Sequence, residues 1–145
     1  MQLSEHFTLA EFTTSKTATR QGLDNTPDAK ARLRLAYLCQ NILQPIRRRL
    51  NLPIEVTSGY RSPELNKAVG GAKNSQHMTG DAADIICNHT TMRHLWQTIE
   101  LMVREGEIYV GQLIWEGGDA SAPSWIHISN PREGKKNNEI IYAYF

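Results

Sequence analysis

A histidine and an aspartate stand seven residues apart in the stretch Ser75-Gln76-His77-Met78-Thr79-Gly80-Asp81-Ala82-Ala83-Asp84, with glycine and small alanines between them. An imidazole nitrogen and a carboxylate oxygen are both ligands for a divalent metal of the zinc type. The spacing does not suit one helix face, where neighbours recur at three or four residues. It suits a turn that enters a strand, with His77 on the turn, Gly80 at the sharp bend and Asp84 within Ala82-Ala83-Asp84-Ile85-Ile86. Small side chains at Ala82 and Ala83 would let the backbone pass close to an ion. Two ligands leave a zinc site incomplete. The best third donor is His127, in Trp125-Ile126-His127-Ile128-Ser129, a short alternating segment that reads as a strand. Two histidines, one carboxylate and one open position for water are the donor set of a catalytic rather than a structural zinc.

The elements that must hold these residues can be read along the chain. The first 25 residues form an N-terminal arm. In it, Thr8 caps one helical turn over 7–12, and Phe7, Leu9 and Phe12 dock on the body. Residues 15–25 are polar and read as a loop. Thr26 is the expected N-cap of the longest helix, with Pro27 in its first turn. Ala31, Leu35, Leu38, Ile42 and Ile46 then recur at helical spacing to about Leu50, with a kink expected at Pro45. Residues 54–58 alternate as a half-buried strand, and a short helix over Pro63–Ala68 is closed by Gly70-Gly71. Thr90 or Thr91 caps a second long helix, whose apolar face is Met92, Leu95, Trp96, Ile99, Met102 and Val103. Residues 110–116 and Trp125–Ser129 read as a hairpin around a glycine-containing loop, and 139–145 as a closing edge strand. The pattern predicts an α+β fold with helices packed on a small antiparallel sheet, as one domain over 1–145.

Bulk properties exclude several function classes. With 145 residues, 40% of them hydrophobic and 21% charged, the chain can bury a core and is not a disordered segment. A formal net charge of +1 provides no field that would draw it to nucleic acid. The basic run Arg47-Arg48-Arg49 reads as a helix C-terminus, where cations complement the macrodipole. Cys39 and Cys87 sit among apolar residues and read as buried free thiols, with a disulfide as the alternative. Residues 1–12 lack the apolar centre of a signal peptide, and no apolar run is long enough to span a bilayer. The expectation is a protein made in the cytoplasm, without membrane insertion and acting as a monomer. The glycines of 66–74 lack the lysine and hydroxyl ending of a phosphate loop. His6, His89 and His94 have no motif around them and read as surface residues.

Taken together, His77-x-x-Gly80-x-Ala82-x-Asp84, preceded by Ser58-Gly59-Tyr60-Arg61 and followed by Trp125-Ile126-His127, resembles the M15 zinc peptidases. These are the D-alanyl-D-alanine carboxypeptidases and related peptidoglycan endopeptidases, which share a fold with the hedgehog signalling domain. The resemblance runs from about Pro27 to Ser129, and the arm is similar to the small, often phage- or prophage-encoded branch. It implies zinc held by His77, Asp84 and His127, and a cell-wall peptide as substrate. One departure stands out. Several family members carry a catalytic acid three positions before the last histidine ligand, and here that position is Ser124. The expected replacement is Glu116, which would lie beside His127 if the two strands pair, with Asp81 the second choice. Arg61 would hold a substrate carboxylate or the developing oxyanion, and Ser75 and Gln76 would contact the substrate backbone. The resemblance implies cleavage of peptidoglycan peptides, by a carboxypeptidase or an endolysin-type endopeptidase, reached through lysis, a holin or delivery in a particle. The alternative is a zinc-binding structural or phage-assembly module that does not cleave.

Overall fold

Alternation along the strands and heptad-like spacing along the helices resolve into one sheet with helices covering one face. The computed structural model describes residues 1–144. Strands β1 (Gln2–Ser4) and β2 (Phe7–Thr8) form a small antiparallel ribbon, followed by α1 (Leu9–Thr13) and α2 (Lys16–Gln21). Next come α3 (Ala29–Leu38), α4 (Gln44–Leu50), β3 (Glu55–Ser58) and α5 (Pro63–Ala68). Strand β4 (Ala82–Ile86), helix α6 (Met92–Arg104) and strands β5 (Gln112–Glu116), β6 (Trp125–Ser129) and β7 (Glu139–Ala143) complete the fold. The main sheet has the order β3-β4-β6-β5-β7.

The apolar side chains of the sheet and helices meet on one side. Ala83, Ile85, Leu113, Ile126 and Ile128 from the strands, Leu35, Leu38, Ile42 and Ile46 from the first long helical segment, and Leu95, Ile99 and Met102 from α6 are all fully buried. Because successive strand residues point to opposite faces, this layer leaves Asp84, Ile114, Glu116, Trp125 and His127 on the other face. The arm docks as expected. Phe7 and Phe12 enter the core, Leu9 packs against it, and the Tyr60 amide donates to the Phe12 carbonyl at 2.6 Å. Glu11 closes the cap of α1 by accepting from the Thr8 amide at 2.6 Å. Both cysteines are free and buried. Among the described residues no helix is long and apolar enough to cross a membrane.

Four expectations need correction. The helix expected to be the longest is capped by Asp28, whose carboxylate accepts from the Ala31 amide at 2.8 Å, and not by Thr26. It is also not continuous. A π-helical turn over Cys39–Leu43 separates α3 from α4, and the Gln44 amide reaches back five residues to the Cys39 carbonyl. Pro45 explains this break, because it has no N–H to offer the preceding turn. The polar segment 15–25 is not all loop, since Ser15 caps α2 and Gly22, at φ 66°, ends it. Six residues with a single apolar one, Ala18, are too few for periodicity to declare a helix. Lastly, the sheet is antiparallel except at its edge, where β7 runs parallel to β5. Strand β6 ends beside the start of β5, and the polar turn 130–138 keeps the chain at that end. There the Asn138 and Glu139 amides donate to the Val110 and Gly111 carbonyls.

Gly80 ties this fold to the motif read from the sequence. It has φ 79°, and a Cβ on it would meet the Ala31 carbonyl oxygen of α3 at 2.4 Å. Gly22, at φ 66°, has nothing within 4 Å of such a Cβ. Gly22→Ala is expected to cost about 1 kcal/mol, from the left-handed backbone alone. Gly80→Ala is expected to cost about 1–3 kcal/mol more, from the forced separation of the turn and α3. Urea unfolding midpoints of the two variants measure the difference, and equal losses would rule out the close approach as a constraint.

Candidate metal centre

Strand pairing places the side chains that matter in one row. On β4 and β6, Asp84 lies directly opposite His127. On the other side of β4, Ser58 pairs with Asp84 after a register shift between Val56 and Ser58. On β5, Ile114 is the partner of His127 and Glu116 the partner of Trp125. His77 comes from outside the sheet, on a 3-10 turn over Gln76–Thr79. Ser75 caps this turn by accepting from the His77 amide at 3.2 Å, and Gly80 ends it in the left-handed conformation. The turn is tied to the chain beyond β3 by the Arg61 amide, which donates to the His77 carbonyl at 3.1 Å.

The three predicted ligands come together. His77 Nε2 lies 3.4 Å and His127 Nδ1 3.0 Å from the same oxygen, Asp84 Oδ1. The imidazole rings meet nearly edge to face, with centroids 5.2 Å apart. One ligand atom from each of His77, Asp84 and His127 lies within 4.8 Å of the others, close enough to share a metal ion. His77 and Asp84 are buried, and the His127 side chain is only 12% exposed.

Hydrogen bonding at the far side of each ring fits this use. His77 Nδ1 sits 2.7 Å from the Gly59 carbonyl. A carbonyl only accepts, so Nδ1 carries the proton and Nε2 presents a lone pair towards Asp84. His127 Nε2 sits 2.8 Å from Gln76 Oε1, which leaves Nδ1 with its lone pair towards the same carboxylate. Two nitrogen lone pairs and a carboxylate oxygen converging at 3.0–3.4 Å are a donor set that calls for a cation. Burial alone would raise the Asp84 carboxyl. With protons on those two nitrogens in place of a cation, hydrogen bonds from His127 and His77 and their charge outweigh it and hold Asp84 well below the usual carboxylate range.

The other candidates divide. Arg61 approaches the centre, with Nη2 4.0 Å from Asp84 Oδ2, while its Nη1 donates to Asn66 Oδ1 at 3.4 Å. Glu116 is on the open face with His127, though not as its direct cross-strand partner. Ile114 holds that place, and Glu116 lies two pairs along, diagonal to the histidine. Burial pushes the Glu116 carboxyl up from its ordinary value, with His127, Asp84 and His77 all within electrostatic reach. Asp81 is engaged elsewhere. Thr79 Oγ1 donates to it at 2.6 Å and Asn130 Nδ2 at 3.2 Å, and Arg34 of α3 stands 3.9 Å away. Sequence reasoning missed the Gly59 carbonyl and the bond from Gln76 to His127. A carbonyl has no residue signature, and Gln76 was read as a contact for the substrate backbone.

With this geometry in place, similarity to known proteins decides the family. The model of the family described as Peptidase M15 matches residues 5–129. The chain belongs to the M15 peptidase family. Within it, a 33-residue stretch is 58% identical to the zinc D-Ala-D-Ala carboxypeptidase of Streptomyces albus G, which covers 23% of this chain and 13% of that protein. The M15 match includes His77, Asp84 and His127, and extends back through most of the N-terminal arm.

A metal centre of this kind should take up one equivalent of a zinc-type divalent ion. Single replacement of His77, Asp84 or His127 by alanine is expected to remove that equivalent. Metal analysis after dialysis, with chelator competition, measures it. Full retention of metal in all three variants would rule out the cluster as the binding site.

Proposed function

We propose that this M15 peptidase is zinc-dependent and hydrolyses amide bonds in peptidoglycan stem peptides. The cleavage would be that of a D-Ala-D-Ala carboxypeptidase or of an endolysin-type endopeptidase. The observation that carries the proposal is the convergence of His77 Nε2, His127 Nδ1 and Asp84 on one face of the sheet that also bears Glu116. A zinc ion held by these residues supplies an acidified water and polarises the scissile carbonyl.

The chain's own residues do the rest. Glu116 accepts a proton from the attacking water and returns it to the leaving amine. A carboxyl raised by burial is better matched to that transfer near neutral pH than an ordinary glutamate. Asp81, tied to Thr79, Asn130 and Arg34, is the poorer candidate. Arg61, held beside the carboxylate ligand, offers a planar fork to a terminal carboxylate or to the oxyanion. Ser75 and Gln76 stand on the turn next to the centre, where the substrate backbone passes. The protein then works as a monomer on the wall, reached through lysis, a holin or particle delivery.

Serine at position 124, where several relatives carry the acid, favours one second reading: a zinc-holding structural or phage-assembly module that does not cleave. Incubation with purified muropeptides, with and without chelator, separates the two by mass spectrometry. Chelator-sensitive loss of a terminal alanine is the carboxypeptidase result, and chelator-sensitive internal cuts are the endopeptidase result. Glu116→Gln is expected to lower turnover by about 10²–10⁴-fold and to leave bound zinc unchanged. Full activity in Glu116→Gln would remove it as the base. No product from zinc-loaded wild type over a range of wall chemistries would favour the module.

A further inference from the structure

Gln76 has a role that its expected contact with substrate does not cover. Its backbone is fixed, because the Gln76 carbonyl accepts from the Asp81 amide at 3.1 Å. Its side chain crosses to the sheet, where Oε1 lies 2.8 Å from His127 Nε2, a residue 51 positions away in the chain. The opposite nitrogen of the same ring faces Asp84 Oδ1 at 3.0 Å. Gln76 is partly buried and sits next to His77, so the turn that carries one candidate ligand also holds the ring of another.

We propose that Gln76 is a positioning residue for the metal centre. Its amide oxygen keeps the proton of His127 on Nε2, orients the ring and leaves the Nδ1 lone pair for the ion. The Gly59 carbonyl does the same for His77, through Nδ1 at 2.7 Å. The two histidines therefore present opposite nitrogens to the ion, Nε2 from His77 and Nδ1 from His127, because their outer partners lie on opposite sides of the rings. Outer-shell partners of this kind fix the tautomer and raise ligand basicity, and losing one typically weakens metal binding 10–100-fold. A carbonyl of the main chain cannot be removed by substitution. Gln76 is thus the one of these two outer contacts that mutation can reach.

The inference rests on the metal-centre reading, and the test keeps the two apart. Zinc affinity is measured at neutral pH by competition with a chromophoric chelator for wild type, Gln76→Met, Gln76→Glu and His127→Ala. Circular dichroism of the metal-free proteins checks that each is folded. Gln76→Met keeps the length but has no strong acceptor, and is expected to bind zinc about 10–100-fold more weakly. Gln76→Glu can only accept, and is expected to restore affinity to at least the wild-type value. The ligand-field spectrum of the cobalt-substituted protein should change in Gln76→Met and return towards wild type in Gln76→Glu. Wild-type affinity in Gln76→Met, with KM alone raised, would overturn the positioning role in favour of a substrate contact. Equal weakening in Gln76→Glu and Gln76→Met would overturn it as well, since the amide would then be needed as a donor. Undiminished affinity in His127→Ala would overturn the metal-centre reading itself, and this inference with it.

Discussion

A slip of β4 by one residue against β6 would turn Asp84 into the apolar layer beneath the sheet and bring Ala83 and Ile85 out of it, and a slip of β6 would do the same to His127, Ile126 and Ile128. Strand side chains alternate with a period of two, so no intermediate register exists. Each of the larger aliphatic side chains involved is worth roughly 1.5–3 kcal/mol in burial. All four of these core residues are fully inaccessible to solvent. The core therefore enforces the polar row above it. Asp84 faces His127 because Ile85 must face Ile126, and Ser58 and Ile114 extend that row to either side. The chemistry of the open face is held in place by packing on the closed one.

This arrangement concentrates polar groups where burial is costly. A carboxylate and two imidazoles, all largely out of solvent, would be unfavourable without partners. The surrounding backbone supplies some of them. The register shift in β3 places Thr57 Oγ1 3.2 Å from the Asp84 carbonyl and leads the chain to Gly59, whose carbonyl meets His77. Irregularities of this kind often sit beside active sites, where they re-aim the chain. Gly59 also passes so close to the arm that a Cβ would lie 2.6 Å from the Phe12 backbone. The arm thus presses on the segment that holds the first histidine ligand, and the family match reaches back into that arm, to residue 5.

How much of this was legible in the sequence depends on the range of the interaction involved. His77, Gly80 and Asp84 announced a turn entering a strand, and the chain folds that way because both glycine's φ and the strand alternation are local properties. The union of His127 with them was legible only because Trp125–Ser129 alternates cleanly and because the combined motif has a family likeness. Interactions that depend on register were less visible. Glu116 was placed on the face of His127 by parity alone, whereas its exact partner, Trp125, depends on the hairpin loop. The parallel entry of β7 and the π-helical turn before Pro45 escaped for the same reason. Each is decided by what the neighbouring element allows rather than by the segment's own pattern. Gln76 was noticed and given a different task, because a glutamine's sequence neighbours do not reveal which ring it will meet 51 residues away.

The serine at position 124, where the family resemblance leads one to expect an acid, becomes intelligible in the hairpin. Strands β5 and β6 meet at Glu116 and Trp125, and just beyond that pair the Ser124 amide donates to the Glu116 carbonyl at 2.9 Å. Positions 116 and 124 are thus neighbours across the mouth of one loop, though eight residues apart in sequence. A carboxylate at this end of the hairpin can come from either strand, because what the proposed reaction needs is an acid on the face that carries His127, within reach of a shared ion. Strand parity admits Glu116 to that face. Moving the acid to the first strand has a further physical consequence: its backbone is then set by pairing with β6 on one side and with β7 on the other, where Glu116 lies opposite Ala143. On the proposed reading, the parallel edge strand that the sequence pattern did not reveal is what steadies the base.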